Sequence, residues 1–315
     1  MASIESAYRI ASEGLLAMRY GGDFLVTTRA GRCEAISASA YAALVATDSE
    51  GCDLAGIAVM IAAEADSRND FVVGMESFRR LAEIGAVVQV PAQLPRGDDP
   101  IGPTSVQPHT SGPSLLETVD IPLSWSAMAA DSVTVAGLVD EVLSSPGRRL
   151  LEFGPGLSTA AVRLAAEFAS RSVDIVGIEQ DAQWAAAIRE ALPDSALGSI
   201  TLIVAPLVPA EAGASPFPLK RWYHRDSLTQ LQGPFDVLLV DGPTAFREDW
   251  RFDRWPALEF ARPLLAPDAT VVLDDIGRGG ERAIAREWQA RLGDEWDAQT
   301  VGRSMWLSHR RRTTG

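Results

Sequence analysis

The pattern of apolar and polar positions divides the chain into two parts. In the first part, three short runs rich in β-forming residues alternate with glycine turns, and three segments with helical periodicity follow. This order predicts a β-meander, three helices and a closing strand, together a small α+β domain. The predicted strands cover 15–20, 24–28, 33–37 and 87–90, and the predicted helices cover 38–46, 53–65 and 70–84.

Proline and glycine mark the joint between the two parts. The stretch PAQLPRGDDPIGPTSVQPHTSGP, residues 91–113, has little apolar periodicity, and its prolines exclude a helix or an inner strand. We therefore predict a first domain over 1–92, a linker over 93–114 and a second domain over 115–315.

The second part alternates apolar runs with helical segments, which is typical of a parallel sheet covered by helices. It opens with LLEFGPGLSTAAVRLAA, residues 150–166, where an apolar strand ends in a glycine turn and a helix begins near Ser158. A second strand, 173–178, ends at Glu179. This part therefore predicts a Rossmann-like α/β fold with a ligand at the carboxyl ends of its strands.

The glycine turn is the candidate ligand cradle, because Gly154 and Gly156 let a ligand approach the backbone where a Cβ atom would clash. A P-loop needs Gly-Lys-Ser/Thr in the turn, and the one lysine of the chain, Lys220, lies elsewhere. A nicotinamide site usually has a third small residue where this chain has Thr159, and Glu152 would repel the pyrophosphate. The turn therefore favours a ligand without phosphate.

S-adenosylmethionine meets this condition, because it carries an ammonium and a sulfonium and has no phosphate. An acid at the turn suits a cationic ligand. A second acid, Glu179, follows Gly156 by about 20 residues, the spacing at which a carboxylate accepts the ribose hydroxyls. These residues predict S-adenosylmethionine as the cofactor.

With these motifs in place, the sequence resembles the class I methyltransferases over about 115–309. LLEFGPG is similar to their first motif and VGIEQD to their second. The remaining strands and the closing hairpin of that fold are matched by ITLIVAPL at 200–207, FDVLLVDGP at 235–243, ATVVLDDIGRGGERAIAREW at 269–288 and WDAQTVGRSMWLSH at 296–309. The cofactor-binding residues that the resemblance implies are Glu152 at the amino group, Gly154 and Gly156 beneath the methionine part, Glu179 at the ribose, Gln180 beside the adenine, and Ala205 and Pro206 flanking it.

Three acids at the ends of the fourth and fifth strands, Asp241, Asp274 and Asp275, are the candidate catalytic residues. They would hold an amine or hydroxyl acceptor and accept its proton. The catechol-type O-methyltransferases, which this arrangement resembles, place a metal there, but they usually have Asn where this chain has Asp275, and we predict no metal. For one acid of the Asp274–Asp275 pair, a structural role such as capping the next helix is the first expectation. Further candidate pocket residues are Tyr223, His224 and Arg278.

The first part resembles the PqqD-like peptide-recognition domains of ribosomal peptide pathways over about 12–90, which are winged-helix-like. The resemblance rests on FLVTTRAGRCEAISASAYAALVATDSEG at 24–51 and on FRRLAEIGAVVQV at 78–90. It implies that a leader peptide adds a strand to the edge of the meander and packs against the third helix. The alternative is a module for packing or for a homodimer. DNA binding is disfavoured, because the third helix carries only Arg79 and Arg80 as basic residues.

Charge and cysteine content narrow the partners and the compartment. The net charge of −14 disfavours nucleic acid and anionic membranes as partners. We expect no transmembrane helix and no signal peptide. Two isolated cysteines and three scattered histidines give no zinc motif, and reduced cysteines fit a cytoplasmic protein.

Together these features predict a methyltransferase that acts on an amine, hydroxyl or carboxyl of a ribosomally made precursor peptide held by its leader. The daptide type of pathway, with a methylated terminal amine, is one such pathway, and no residue selects it. A methyltransferase for a free small molecule, and a non-catalytic binding protein on the same fold, remain alternatives.

Overall fold

The computed structural model of the chain describes residues 6–10, 13–49, 52–65, 68–91, 116–123, 129–193, 195, 198–211 and 215–310. The chain divides into two compact units, Met1–Asp120 and Ile121–Gly315. The predicted linker, 93–114, lies outside the described residues. None of the described helices is long and apolar enough to cross a membrane.

The first unit is a small α+β domain. A four-stranded sheet has the order β4-β3-β2-β7, and a second sheet has the order β5-β1-β6. Its elements are β1 (Ser6–Ile10), β2 (Leu15–Tyr20), β3 (Asp23–Thr28), β4 (Cys33–Ser37), α1 (Ala38–Ser49), β5 (Cys52–Asp53), α2 (Leu54–Glu64), α3 (Arg68–Glu83), β6 (Val87–Pro91) and β7 (Leu116–Asp120).

The meander and its three helices follow the predicted pattern. The helices cover the apolar face of the sheet, and the shared core includes Val26, Leu44, Ile61 and Phe78. Gly85, with φ of +76°, ends the turn after α3, which is the position where the sequence predicts a stop.

Three of the strands in this unit, β1, β5 and β7, were not predicted. β1 pairs antiparallel with β5 and β6, and β7 pairs in parallel with β2, from Leu15 opposite Leu116 to Arg19 opposite Asp120. β7 therefore belongs to the first unit, although the sequence placed everything after 115 in the second. Its short and largely exposed LETVD sequence gives no apolar alternation that reveals the pairing.

The second unit contains a seven-stranded sheet of order β10-β9-β8-β13-β14-β16-β15. All neighbours are parallel except β16, which is antiparallel to β14 and β15. This confirms the predicted Rossmann-like sheet with a closing hairpin. Its elements are α4 (Ser132–Leu143), β8 (Arg149–Phe153), α5 (Leu157–Phe168), β9 (Val173–Glu179), α6 (Ala182–Ala191), β10 (Gly198–Val204), β11 (Leu207–Pro209), β12 (Arg221–Tyr223), β13 (Phe235–Val240), α7 (Pro256–Ala261), β14 (Leu265–Leu273), α8 (Gly279–Leu292), β15 (Trp296–Val301) and β16 (Ser304–His309).

The sheet of the second unit is buried by helices, and its core explains the near-continuous apolar strands. One face packs β8, β9 and β13 against α7 and α8 through residues such as Phe153, Val240, Leu258 and Trp288. Because both faces of a parallel sheet are covered, polar residues concentrate at the strand ends. The carboxyl ends of β8, β9, β13 and β14 therefore carry the candidate site.

Candidate functional site

The turn after β8 brings the ends of two strands into contact. Gly154 has φ of +84°, and its amide donates to the carbonyl of Ile178 over 3.0 Å. A Cβ atom on Gly154 would lie 2.8 Å from the amide nitrogen of Gly242, which follows β13. Both the backbone angle and this contact therefore require glycine here.

Gly156 occupies the N-cap position of α5 and has a different role. Its amide donates to the Thr159 hydroxyl over 3.0 Å. A Cβ atom here would meet only the ring of Trp184, at 3.6 Å. The second glycine of the turn therefore opens space for a ligand rather than permitting a tight backbone contact.

Glu152 supports the turn from beneath. Its side chain is fully buried, and its carboxylate accepts hydrogen bonds from the hydroxyls of Ser158 and of Thr159, the latter over 2.6 Å. Burial raises the pKa of Glu152 to about 7, although the two hydrogen bonds act in the opposite direction. The carboxyl group therefore holds the first turn of α5 in place.

Glu179 closes β9 at the edge of the same turn. Its carboxylate accepts the amide of Asp181 over 2.7 Å. Burial is the main cause that raises the pKa of Glu179 to about 6. The following residue, Gln180, accepts a hydrogen bond from the Tyr223 hydroxyl over 3.3 Å. The strand end thus presents an acid and an amide side by side.

A cavity of about 220 Å³ opens over the glycine turn. Five of the predicted site residues line it, namely Gly154, Gly156, Glu179, Gln180 and Asp241. Within the described part of the chain, its lining holds three carboxylates, with Asp181 as the third, and no lysine, arginine or histidine. Such a wall suits a cationic ligand with hydroxyl groups and does not suit a phosphate.

The other five predicted residues are not part of the cavity lining among the described residues. Glu152 lies beneath it, and Ser158 is the contact between the two. The Ala205 amide donates to the carbonyl of Glu179 over 2.8 Å, and the Pro206 carbonyl accepts the His224 amide over 2.9 Å. Asp274 and Asp275 belong to a separate acid cluster.

Several lining residues were not predicted from the sequence, and Trp184 and Asp181 are two of them. Trp184 donates its indole N–H to the Pro155 carbonyl over 2.9 Å, so its ring lies against the glycine turn. Asp181 caps α6 by accepting the amides of Gln183 and Trp184. The N-cap role of Asp181 could be predicted, because an acid directly before a helical segment is typical of an N-cap. No sequence pattern indicates that the ring of Trp184 contacts the glycine turn.

The structure brings Asp241, Asp274 and Asp275 together, with one oxygen of each within 4.8 Å of the others. Only Asp241 lines the cavity. The Asp275 carboxylate pairs with Arg254 over 3.2 Å and with Arg278 over 2.8 Å. Capping of the next helix is not its role, because Arg278 is the N-cap residue of α8. Arg278 therefore belongs to the acid cluster rather than to the pocket.

Asp274 is held on the other side of the cluster. It is fully buried and accepts the Ser304 hydroxyl over 3.1 Å, and Ser304 in turn bonds Thr134 of α4 over 2.6 Å. Burial, followed by the charge of Asp275, raises the pKa of Asp274. This carboxyl therefore retains its proton more readily than an ordinary aspartate does.

A second cavity, of about 400 Å³, lies beside β11 and β12. Its lining includes Trp222, Tyr223, His224 and Trp255. The Tyr223 hydroxyl donates to Gln180, which lines the first cavity, so one hydrogen bond links the linings of the two cavities.

Comparison with known proteins places residues 151–276 in a family described as a methyltransferase domain. No curated protein matches the chain by sequence. Among solved structures, the SAH-bound methyltransferase PaMTH1 of Podospora anserina is 15% identical, with a TM-score of 0.40, over 58% of this chain and 80% of that one. The precorrin-6y C5,15-methyltransferase of Geobacter metallireducens GS-15 is 12% identical, with a TM-score of 0.40, over 59% of this chain and 92% of that one.

The family match covers the strands that carry the glycine turn, Glu179 and the acid cluster, and the order of the sheet agrees with it. These two findings identify residues 151–276 as a class I, S-adenosylmethionine-dependent methyltransferase domain.

Proposed function

We propose that the protein transfers a methyl group from S-adenosylmethionine to an amine, hydroxyl or carboxyl of a ribosomally made peptide, which its N-terminal unit holds by the leader. The observation that carries the catalytic half is the cavity over the glycine turn, lined by three carboxylates and, in the described residues, by no basic side chain. We place the reaction in the cytoplasm.

The cofactor fits the residues that line the cavity. The open space at Gly156 admits the methionine part against the backbone, and Glu179 accepts hydrogen bonds from the ribose hydroxyls. When bound, the cofactor supplies a methyl group already activated by a sulfonium. The task of the protein is therefore to place the acceptor atom in line with that methyl group.

Asp241 is the acid that we assign to the acceptor. It lines the cavity, and Arg254 pairs with it over 3.1 Å. Burial, and the charges of the neighbouring acids, raise the pKa of Asp241 well above its usual range. A carboxylate with raised proton affinity is suited to orient an amine or hydroxyl and to take its proton.

Replacement of Glu179 by alanine is expected to weaken S-adenosylmethionine binding by about 10- to 100-fold, since it removes the acceptor of two ribose hydroxyls (roughly 1.5–3 kcal/mol). Isothermal calorimetry on the full chain measures this. Asp174→Ala, which removes an acid from the start of the same strand and breaks its pair with Arg149, is the matched control and should leave the affinity unchanged. Equal affinities for Glu179→Ala and the wild type would remove the ribose assignment.

The edge of the four-stranded sheet supports the peptide-binding half of the proposal. β7 already covers the β2 edge, and β4 is the other end of the sheet in the described residues. Thr28 donates its amide to the Arg32 carbonyl, so by antiparallel alternation Glu34 and Ile36 bond to β3, while the backbone of Ala35 faces outward. An extended peptide can therefore pair with β4 without disturbing the existing ladder.

Helix α3 flanks this open edge. Arg80 of α3 pairs with Glu34 of β4 over 2.7 Å, which fixes the side of the helix that faces the strand. Val73 lies two helical turns before Arg80, on the same stripe, and is 45% exposed. We propose that an apolar leader side chain packs on Val73.

Val73→Glu is expected to weaken binding of the cognate leader peptide to the full chain by about tenfold, because it places a charge in an apolar contact. Fluorescence anisotropy with labelled peptides from reading frames beside the gene measures this. Val72→Glu is the matched control, since Val72 is 56% exposed and points about 80° away from the Arg80 stripe. Equal losses in both variants, or no peptide binding by the wild type, would contradict the leader proposal.

The second cavity favours an alternative function, methylation of a free small molecule. Its two indole rings form an apolar wall of the kind that binds aromatic or aliphatic ligands. In that case Val208→Trp, which fills the cavity from β11, would raise the KM for the acceptor and leave S-adenosylmethionine binding unchanged. For the peptide substrate we expect no change in KM.

A further inference from the structure

Arg254 lies at the centre of the acid cluster and is 2% exposed. Its Nη2 donates to Asp241, both to the carboxylate over 3.1 Å and to the backbone carbonyl. Its Nη1 donates to the Asp275 carboxylate over 3.2 Å and lies 4.0 Å from a carboxylate oxygen of Glu281. Its Nε donates to the Pro243 carbonyl over 3.1 Å. One guanidinium thus joins the ends of β13 and β14 to α8.

Three carboxylates that converge within 4.8 Å are an arrangement that also suits a divalent cation. Here two of them, Asp241 and Asp275, already bond to the same buried guanidinium. The third, Asp274, is fully buried, and one of its carboxylate oxygens accepts the Ser304 hydroxyl over 3.1 Å. The donor set present therefore does not fit a metal in addition to Arg254.

We propose that Arg254 is a built-in cation that holds Asp241 at the wall of the cofactor cavity, in the place where a divalent metal would otherwise be needed. Arg254 is thus a positioning residue, and methyl transfer by this domain requires no metal. This inference rests on the proposed function only for the role of Asp241 in acceptor binding.

The chemistry of the side chain explains why it is an arginine. Its planar fork donates from two nitrogens to two carboxylates in the loops that follow β13 and β14, and its third nitrogen donates to a backbone carbonyl. Burial alone would lower the pKa of Arg254, but the charges of the neighbouring acids, Asp241 foremost, raise it above its usual value. A lysine would supply the charge, but it lacks the planar fork that donates hydrogen bonds to both carboxylates.

The test compares Mn²⁺ binding to the full-length wild type and to Arg254→Gln, followed by electron paramagnetic resonance. The wild type is expected to bind no Mn²⁺ at millimolar concentration. Arg254→Gln, which uncovers the carboxylates, is expected to bind one ion per chain and to melt at a higher temperature when Mn²⁺ is added. If Arg254 had only a structural role, its replacement by glutamine would not create a Mn²⁺ site.

Stoichiometric Mn²⁺ binding by the wild type, lost in Asp274→Asn, would overturn the proposal, and so would a folded Arg254→Gln chain that binds no Mn²⁺. If Arg254→Gln does not fold, Arg254→Lys is used, with a lower kcat expected at an unchanged affinity for S-adenosylmethionine. An unchanged kcat in Arg254→Lys would also overturn it. Because Mn²⁺ binding is measured without substrate, the Mn²⁺ outcomes do not depend on whether the acceptor is a peptide.

Discussion

Replacing Gly154 by alanine is expected to destabilise the second unit by about 3 kcal/mol or more and to abolish cofactor binding. A positive φ costs a non-glycine residue roughly 1–2 kcal/mol, and the added Cβ would lie 2.8 Å from a backbone nitrogen that cannot move aside easily. Relief of this contact requires separation of the turns after β8 and β13, and both turns line the cavity. Thermal melting and calorimetry with S-adenosylmethionine measure the two effects.

Gly156→Ala is the matched control for this prediction. Its Cβ would meet only the Trp184 ring, at 3.6 Å, which is ordinary van der Waals contact. We expect a melting temperature within about 2 °C of the wild type and only a modest loss of affinity. Equal destabilisation by the two variants would show that the contact between Gly154 and Gly242 is not what requires the first glycine.

Replacing Glu152 by glutamine is expected to make the protein more stable above pH 7 and no more stable below pH 4.5. The pKa of Glu152 is raised from 4.5 to about 7 in the folded chain, so the folded state binds the proton more tightly than the unfolded state does. Stability associated with this group is therefore complete below pH 4.5 and decreases as the pH rises to about 7. At pH 8 we expect the free energy of unfolding of Glu152→Gln to exceed that of the wild type by about 3 kcal/mol. The amide of the glutamine can keep the contacts with the hydroxyls of Ser158 and Thr159.

Urea unfolding of the wild type and Glu152→Gln from pH 4.5 to pH 8 measures this difference. Glu190→Gln, at an exposed acid of α6, is the control and should follow the wild type at every pH. If the negative charge of Glu152 also attracts the cofactor ammonium, the same variant binds S-adenosylmethionine more weakly while it unfolds less readily. A constant difference between the two proteins across this pH range would contradict the raised pKa.

The methyltransferase sheet was predictable because each parallel strand is a short apolar run that ends in a polar residue or a glycine. Leu150–Phe153 and Val173–Glu179 carry this signal, and it was sufficient to identify the fold and the cofactor. The position of each acid at a strand end followed from the same pattern, since parallel strands present their carboxyl ends at one edge. The meander of the first unit was equally readable, because its turns contain glycine.

The features that the sequence did not reveal depend on contacts between distant segments. Nothing in the sequence distinguishes Arg254 from the other arginines, because its partners after β13, after β14 and in α8 come together only in the folded chain. β7 has no apolar alternation, and its partner β2 lies about a hundred residues earlier in the chain. Glu152 is readable as an acid near a turn, but its burial beneath Ser158 and Thr159 depends on how α5 sits on the sheet.

Every role assigned here to the second unit depends on binding of S-adenosylmethionine in the cavity over the glycine turn. Isothermal calorimetry of the full-length wild type with S-adenosylmethionine, and with Glu179→Ala in parallel, tests it most directly. We expect one binding site per chain and a clear loss of affinity in the variant. If a folded wild type does not bind S-adenosylmethionine, the cavity is not a cofactor site and the methyltransferase fold serves another purpose.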